Sequence, residues 1–303
     1  MTRRTFIKTT SAAAALTATA SANVSAEPAA GDIRYSAFTK PFRDLGFEET
    51  AKFVEQVGWD GVELPVRSSS SHIEPARVEE DLPKMQAALH QRGKRIFIVT
   101  TDVMSVDPVG EKVLRTAEKL GIKQYRLGTF HYDLKQPIAP QFANIKSQLK
   151  DLAALNRELG IQGAMQNHSG AKYVGAPVWD IHEIIRDLDP ADMGLCFDIG
   201  HATLEGGYAW DLNWRLMRDR FAAVYVKDFY WEKNGDEWKA KWCPLGDGMV
   251  NKRFFKDLLA SGYSGVLNQH HEYDHGEGKV LLENCRRDLA VLKKWVAAKY
   301  PNS

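Results

Sequence analysis

An acid and a histidine stand three residues apart in Asp198-Ile199-Gly200-His201, directly after the apolar residues 193–197. With Gly200 permitting a tight turn, both side chains can aim at one point above a strand tip, an arrangement suited to proton transfer or cation binding. The alternative is that Asp198 caps the next helix and His201 lies on the surface. Four more apolar runs carry or end in groups of this kind. Glu63 is turned by alternation away from Val62 and Leu64, toward the inside of a sheet, either as a site carboxylate or as half of an ion pair with Arg126. Gln166-Asn167-His168 closes another run, and three polar residues there are hard to explain as packing because buried polar groups need partners. Tyr225 and Lys227 share a face, and a lysine at a strand end is costly unless carboxylates neutralise it. In His270-His271-Glu272 the first and third share a face, so the two histidines cannot both hold one ion and one of them is structural.

These groups need a scaffold that brings distant strand ends together. Strand-like runs recur at 33–38, 61–64, 95–100, 124–128, 162–167, 193–198, 222–227 and 265–269, with helical patterns at 48–57, 79–92, 110–120, 142–159, 179–188, 254–261 and 280–299. Gly58, Gly121 and Gly160 stop three of the helices just before the next strand, where glycine takes a left-handed cap without penalty. Eight βα units predict an α/β fold, a (β/α)8 TIM barrel forming one domain over residues 27–303, with its chemistry at the C-terminal strand ends. Residues 229–248 hold Tyr230, Trp231, Trp238 and Trp242 around Asn234-Gly235 and read as a β-hairpin over the barrel mouth. Its aromatics suit sugar stacking, and equally suit packing on their own barrel or on a second subunit of a homo-oligomer.

Residues 1–26 read as a removable signal: Arg3-Arg4-Thr5-Phe6-Ile7-Lys8, a mildly apolar stretch, then Val24-Ser25-Ala26. The pair of arginines resembles a twin-arginine signal, implying a folded protein exported to the periplasm. The apolar stretch is about half the ~20 residues that a membrane span needs, so no stable membrane anchor is expected. Lys plus Arg number 40 against 39 Asp plus Glu in the 303 residues, and losing Arg3, Arg4 and Lys8 leaves a net charge of −2. That balance argues against nucleic acid as a partner. The three cysteines Cys196, Cys243 and Cys285 have no zinc-site spacing and allow at most one disulfide.

With these residues in view, the chain resembles the xylose-isomerase-like TIM-barrel superfamily of sugar isomerases and epimerases, which also contains apurinic-site endonucleases. The likeness rests on the βα order, Asp198-Ile199-Gly200-His201, Val226-Lys227-Asp228, the turn Pro244-Leu245-Gly246-Asp247-Gly248, and Glu272 after Gly262-Tyr263-Ser264-Gly265. The resemblance implies a divalent ion held by Glu, Asp, His and Glu on strands five to eight, positions filled here by Gln166, Asp198, Tyr225 and Glu272. Two of the four are changed. The expectation is therefore Mn²⁺ or Mg²⁺, with Zn²⁺ as the alternative, on Gln166, Asp198 and Glu272, with Glu272, His201 and Lys227 catalytic. Glu63, Arg126, Asn167, His168, Tyr225 and His270 are expected to bind a small carbohydrate. The function implied is a sugar or keto-sugar isomerase or epimerase that abstracts a proton next to a carbonyl. A lyase or hydrolase-type enzyme on oxidised (3-keto) glycosides and a non-catalytic sugar-binding barrel are the alternatives. The missing strand-seven histidine sets the chain apart from the endonucleases.

Overall fold

The computed structural model describes residues 32–298; the signal read at 1–26 lies outside them. Strands β1 (Ile33–Phe38), β2 (Gly61–Pro65), β3 (Arg95–Thr100), β4 (Gln124–Arg126), β5 (Gln162–Gln166), β6 (Met193–Asp198), β7 (Phe221–Val226) and β10 (Gly265–Gln269) form a parallel sheet. It closes in the order β1-β10-β7-β6-β5-β4-β3-β2. This is the eightfold barrel that the spacing of apolar runs predicts. Closure makes β6, β7 and β10 consecutive staves and so brings Asp198, Lys227 and Glu272 side by side.

Alternation sorts each strand. Val62 and Leu64 join the large core between strands and helices, whereas Ile98, Ala164, Cys196, Ala223, Tyr225 and Val266 form a smaller cluster. Its small members, Ala164, Cys196 and Ala223, leave room for the fully buried Tyr225 ring. The register of β2 on β3 shifts between Val62 and Glu63, a local irregularity of the kind that re-aims a side chain.

Helices α1 (Phe47–Val57), α2 (Val78–His90), α3 (Pro108–Lys119), α4 (Ile138–Leu159), α5 (Val178–Ile185), α8 (Arg253–Ala260) and α9 (Gly278–Ala297) lie where helical periodicity predicts them. Gly58, Gly121 and Gly160 have φ of 95°, 76° and 62°. Two helices have no counterpart in the periodicity, α6 (Ile199–Gly206) and α7 (Trp210–Met217). Strand β4 stops at Arg126, two residues before the expected end.

The hairpin is present as β8 (Asp228–Asn234) and β9 (Glu237–Cys243), with Gly235-Asp236 as its two-residue turn. Asp228 anchors its base by accepting hydrogen bonds from the backbone N–H groups of Phe229, Gly246, Gly248 and Val250. A Cβ at Gly248 would sit 2.3 Å from Asp228 Oδ1, so that turn requires glycine. All three cysteines are buried and free. Among the described residues no helix is long and apolar enough to cross a membrane.

Candidate active site

Two charged groups of opposite sign organise the barrel mouth at different depths. The deeper is Glu63, fully buried. Its carboxylate accepts hydrogen bonds from Thr100 Oγ1, from Tyr225 Oη at 2.9 Å, from Asn268 Nδ2 and from His270 Nε2 at 2.8 Å, and Arg126 Nε lies at 3.5 Å. Burial alone raises the pKa of such a group, but Arg126, His270 and the hydrogen bonds from His270 and Thr100 hold it down at about 2. Glu63, Tyr225 and Arg126 were expected to touch substrate. Instead they form the floor of the site: Glu63 is saturated, Tyr225 is fully buried, and Arg126 donates to Gln166 Oε1 with its guanidinium 5.1 Å from the Phe38 ring centre.

The shallower group is Lys227, whose ammonium is inside an acceptor cage. Nζ stands 2.7 Å from His201 Nε2, 3.0 Å from Asp198 Oδ2 and 3.2 Å from Glu272 Oε1. The side chain is 2% exposed and Asp198 is 0% exposed, whereas Glu272 is 33% exposed. The indole of Trp242, carried in by β9, covers the ammonium with its ring centre 4.5 Å away. One hydrogen bond to His201 and ion pairs with two carboxylates surround the ammonium, which is how a buried lysine stays compensated.

Asp198 does both things that were set against each other in the sequence. Its Oδ1 accepts from the His201 backbone N–H at 3.0 Å and so caps α6, while Oδ2 faces Lys227 and accepts from Gln166 Nε2 at 2.9 Å. Gly200 lies within α6 rather than in a turn. It is needed for space, since a Cβ there would lie 2.7 Å from Lys227 Cγ and 3.0 Å from the Lys227 carbonyl oxygen. Asn167, expected at the substrate, is a buried clamp: its amide donates to the Asp198 carbonyl and accepts from the Asp198 N–H, at 2.9 and 2.8 Å.

His201, expected to move a proton, has little capacity for it. Burial and the adjacent Lys227 push its pKa well below the usual histidine range, so its ring is neutral. With Nε2 accepting from Lys227, the ring proton is on Nδ1, which meets Ser169 Oγ at 2.6 Å. Its role is to orient Lys227. His168 stacks between Tyr173 and His201, with ring centres 5.3 and 5.0 Å away. Burial, then His201 and Lys227, hold it down at about 3.

His270 links the two levels, its Nε2 on Glu63 and its Nδ1 3.6 Å from Glu272 Oε1. His271 points away, against Trp59 and Asp288, as alternation predicts for one of the pair. Burial raises Glu272, but Lys227 and His270 overcome this and hold it well below the usual carboxylate range. Of the caged groups, Glu272 is the one that lines the open cleft of about 950 Å³ between α1 and the loop before α9, with Phe38, Lys40, Arg43 and Tyr273. Ser169, Thr100 and Asn268 complete the site without having been expected there, together with Trp242 of the hairpin. Asn268 could have been found by extending the His270 face two residues back; Trp242 was read with the other hairpin aromatics over the mouth, but its contact with Lys227 is set only by the tertiary structure.

The three expected metal ligands do not fit a divalent ion. Gln166 Oε1 is taken by Arg126 and its NH₂ is turned toward Asp198, both Asp198 oxygens are committed, and a positive charge already lies between Asp198 and Glu272. A second cation would meet like-charge repulsion at short range in a dry site.

A sequence profile of the family described as xylose isomerase-like TIM barrel matches residues 51–295. An uncharacterized protein of Methanocaldococcus jannaschii is 26% identical over 124 residues, 40% of this chain and 41% of that protein, so the chain spans about two fifths of the length of the curated relative it matches. Among solved structures, the 3-keto-D-glucoside 4-epimerase of E. coli superposes with a TM-score of 0.67 at 14% identity, covering 87% of this chain and 100% of that one. The D-allulose 3-epimerase of Methylomonas sp., in complex with D-allulose, gives 0.63 at 16%, covering 87% and 97%. A xylose isomerase-like TIM barrel protein of Mycobacterium smegmatis, in complex with magnesium, gives 0.61 at 18%, covering 87% and 98%. At these identities the likeness is one of fold.

Proposed function

The chain belongs to the xylose isomerase-like TIM barrel family, and from that premise we propose that it is an isomerase-like enzyme that moves a proton next to the carbonyl of a sugar or keto-sugar. The observation that carries the reading is the 3.2 Å pairing of the partly exposed Glu272 with the buried Lys227 at the edge of the cleft. One supplies a carboxylate base kept ionised, the other a fixed positive charge.

Glu272 takes the proton from the carbon beside the carbonyl, and the C–H electron pair moves onto the carbonyl oxygen as an enolate. Protonation cancels the charge with which Glu272 holds Lys227. One ammonium N–H is thereby released toward the new oxyanion, while Asp198 and His201 keep the other two. Glu272 then returns the proton to the neighbouring carbon, which completes an isomerisation. Phe38, which lines the cleft with Glu272, offers an apolar wall for a sugar face.

Elimination from an oxidised (3-keto) glycoside is a second reading, favoured by a particular feature. Gln166 stands where a second acid or base would be needed, and Asp198 is buried with both oxygens engaged. With one base, proton removal and return take place on one face of the substrate, which suits isomerisation or elimination better than inversion of a stereocentre.

The test is turnover of ketohexoses and 3-keto-glucosides in D₂O, with product mass and position of label read by mass spectrometry and NMR. Deuterium in the product or the recovered substrate, abolished in Glu272→Gln, is the expected result. Sugar binding without exchange or turnover would leave a binding barrel instead. The proposal includes export through the twin-arginine signal, checked by the N-terminus of the protein recovered from the periplasm, and a single carbohydrate ligand rather than a nucleic acid.

A further inference from the structure

The geometry points to Lys227 as the resident cation of this barrel, a built-in replacement for a divalent ion at its mouth. The inference rests on the proposed function only in treating the cluster as the reacting centre. Its basis is the arrangement around Nζ: two carboxylate oxygens and an imidazole nitrogen within 3.2 Å, from β6, the start of α6 and the segment after β10. Oxygen and nitrogen donors converging from separate elements are what a cation seat requires, and here a side chain fills it.

The neighbours are fitted to an ammonium. His201 turns its unprotonated nitrogen inward and is fixed in that tautomer by Ser169. Trp242 covers the charge with a π face, which favours a monovalent organic cation. Gly200 leaves the gap through which the lysine stem passes, and Gln166 is turned by Arg126 so that its amide donates to Asp198. The net charge of Asp198, Glu272 and Lys227 is −1, too small to retain a divalent ion against the ammonium already present. Taking that ammonium away leaves two carboxylates facing each other across a vacated seat.

Direct metal binding tests this independently of turnover. The mature protein is stripped with EDTA and titrated with Mn²⁺, free ion being followed by electron paramagnetic resonance, with Mg²⁺ added as competitor. Wild type is expected to bind weakly or not at all, and Lys227→Met and Lys227→Gln to bind one Mn²⁺ at least about tenfold more tightly. Adding Asp198→Asn to Lys227→Met removes that gain. Stoichiometric Mn²⁺ on wild type, lost when Asp198 and Glu272 are replaced, overturns the inference. So does a folded Lys227→Met or Lys227→Gln that binds no better than wild type, since the carboxylates would then not form a cation seat. If neither variant folds, the wild-type titration still decides. A chain with the expected metal pattern but no turnover on any sugar keeps this inference and loses the proposed function. Turnover that requires added Mn²⁺ overturns this inference and keeps the function.

Discussion

Lys227 Nζ and Glu272 Oε1 are 3.2 Å apart, the lysine sealed from solvent and the glutamate open to the cleft. The pair separates two tasks that one group cannot perform: holding a fixed positive charge in a dry place, and exchanging a proton with something that enters from outside.

The first prediction concerns that exchange. Glu272→Gln keeps the shape and removes the base, so kcat on the accepted sugar should fall by about 10² to 10⁴-fold with the fold intact. Loss of less than tenfold would move the base elsewhere.

Lys227 also sets the pH at which Glu272 is ready. Because the ammonium holds that carboxyl down against its burial, Lys227→Met should shift the acid limb of kcat/KM to higher pH as well as lowering the maximum. An acid limb in the same place as wild type would show that the pairing does not control the base.

Gly200 offers a check of the geometry from outside the charged groups. Alanine is the better helix former, yet its Cβ would press on Lys227 Cγ and its carbonyl. Gly200→Ala should leave thermal stability within a few degrees and reduce kcat by displacing Lys227. Full activity would mean that the ammonium position is not critical.

The Asn167 clamp is a stability prediction. Removing its amide in Asn167→Ala leaves the buried Asp198 N–H without a partner, while the Asp198 carbonyl keeps the first hydrogen bond of α6, a cost of about 1 to 3 kcal/mol in urea unfolding. A change below about 0.5 kcal/mol would show that water or a backbone shift replaces both bonds.

Stability should fall on acidification before the carboxylates titrate. Burial holds His72 at about 4, and His168 and His271 at about 3, and pushes His201 well down, against 6.5 for an exposed ring. Such groups stabilise the fold fully above pH 6.5, and the contribution is lost as pH falls toward their folded values, because the unfolded chain takes up the protons first. Asp288, raised by burial to about 6 from 3.8, acts oppositely: its contribution is complete below 3.8 and lost as pH rises through 6. Asp180 and Asp228 are raised by burial as well, so between pH 7 and 5 four histidines stand against three aspartates, and unfolding takes up protons on balance. Urea unfolding from pH 7 to 5 that shows a flat or rising midpoint would contradict this.

The barrel was legible because each strand's apolar run and each glycine stop is a local signal. Helix α6 was not, since Gly200 next to Asp198 reads as easily as a bend, and α7 was not read either. The strand ends showed which residues face the mouth: Glu63, Gln166, Asp198, Lys227, His270 and Glu272 are all there.

The sequence by itself determined the eight βα units, the inward face of each strand and the charges collected at its end, because alternation and periodicity depend on neighbours along the chain. The tertiary structure decided which of those groups are already spent on one another. Glu63 is consumed by four hydrogen-bond partners on three other strands or their ends, Asn167 by the backbone of Asp198, and Gln166 by Arg126. Only Glu272 was left open, beside a lysine caged by its neighbours. Hydrogen-bond capacity and charge are settled by distances of about 3 Å between residues far apart in sequence, and closing the barrel is what sets those distances.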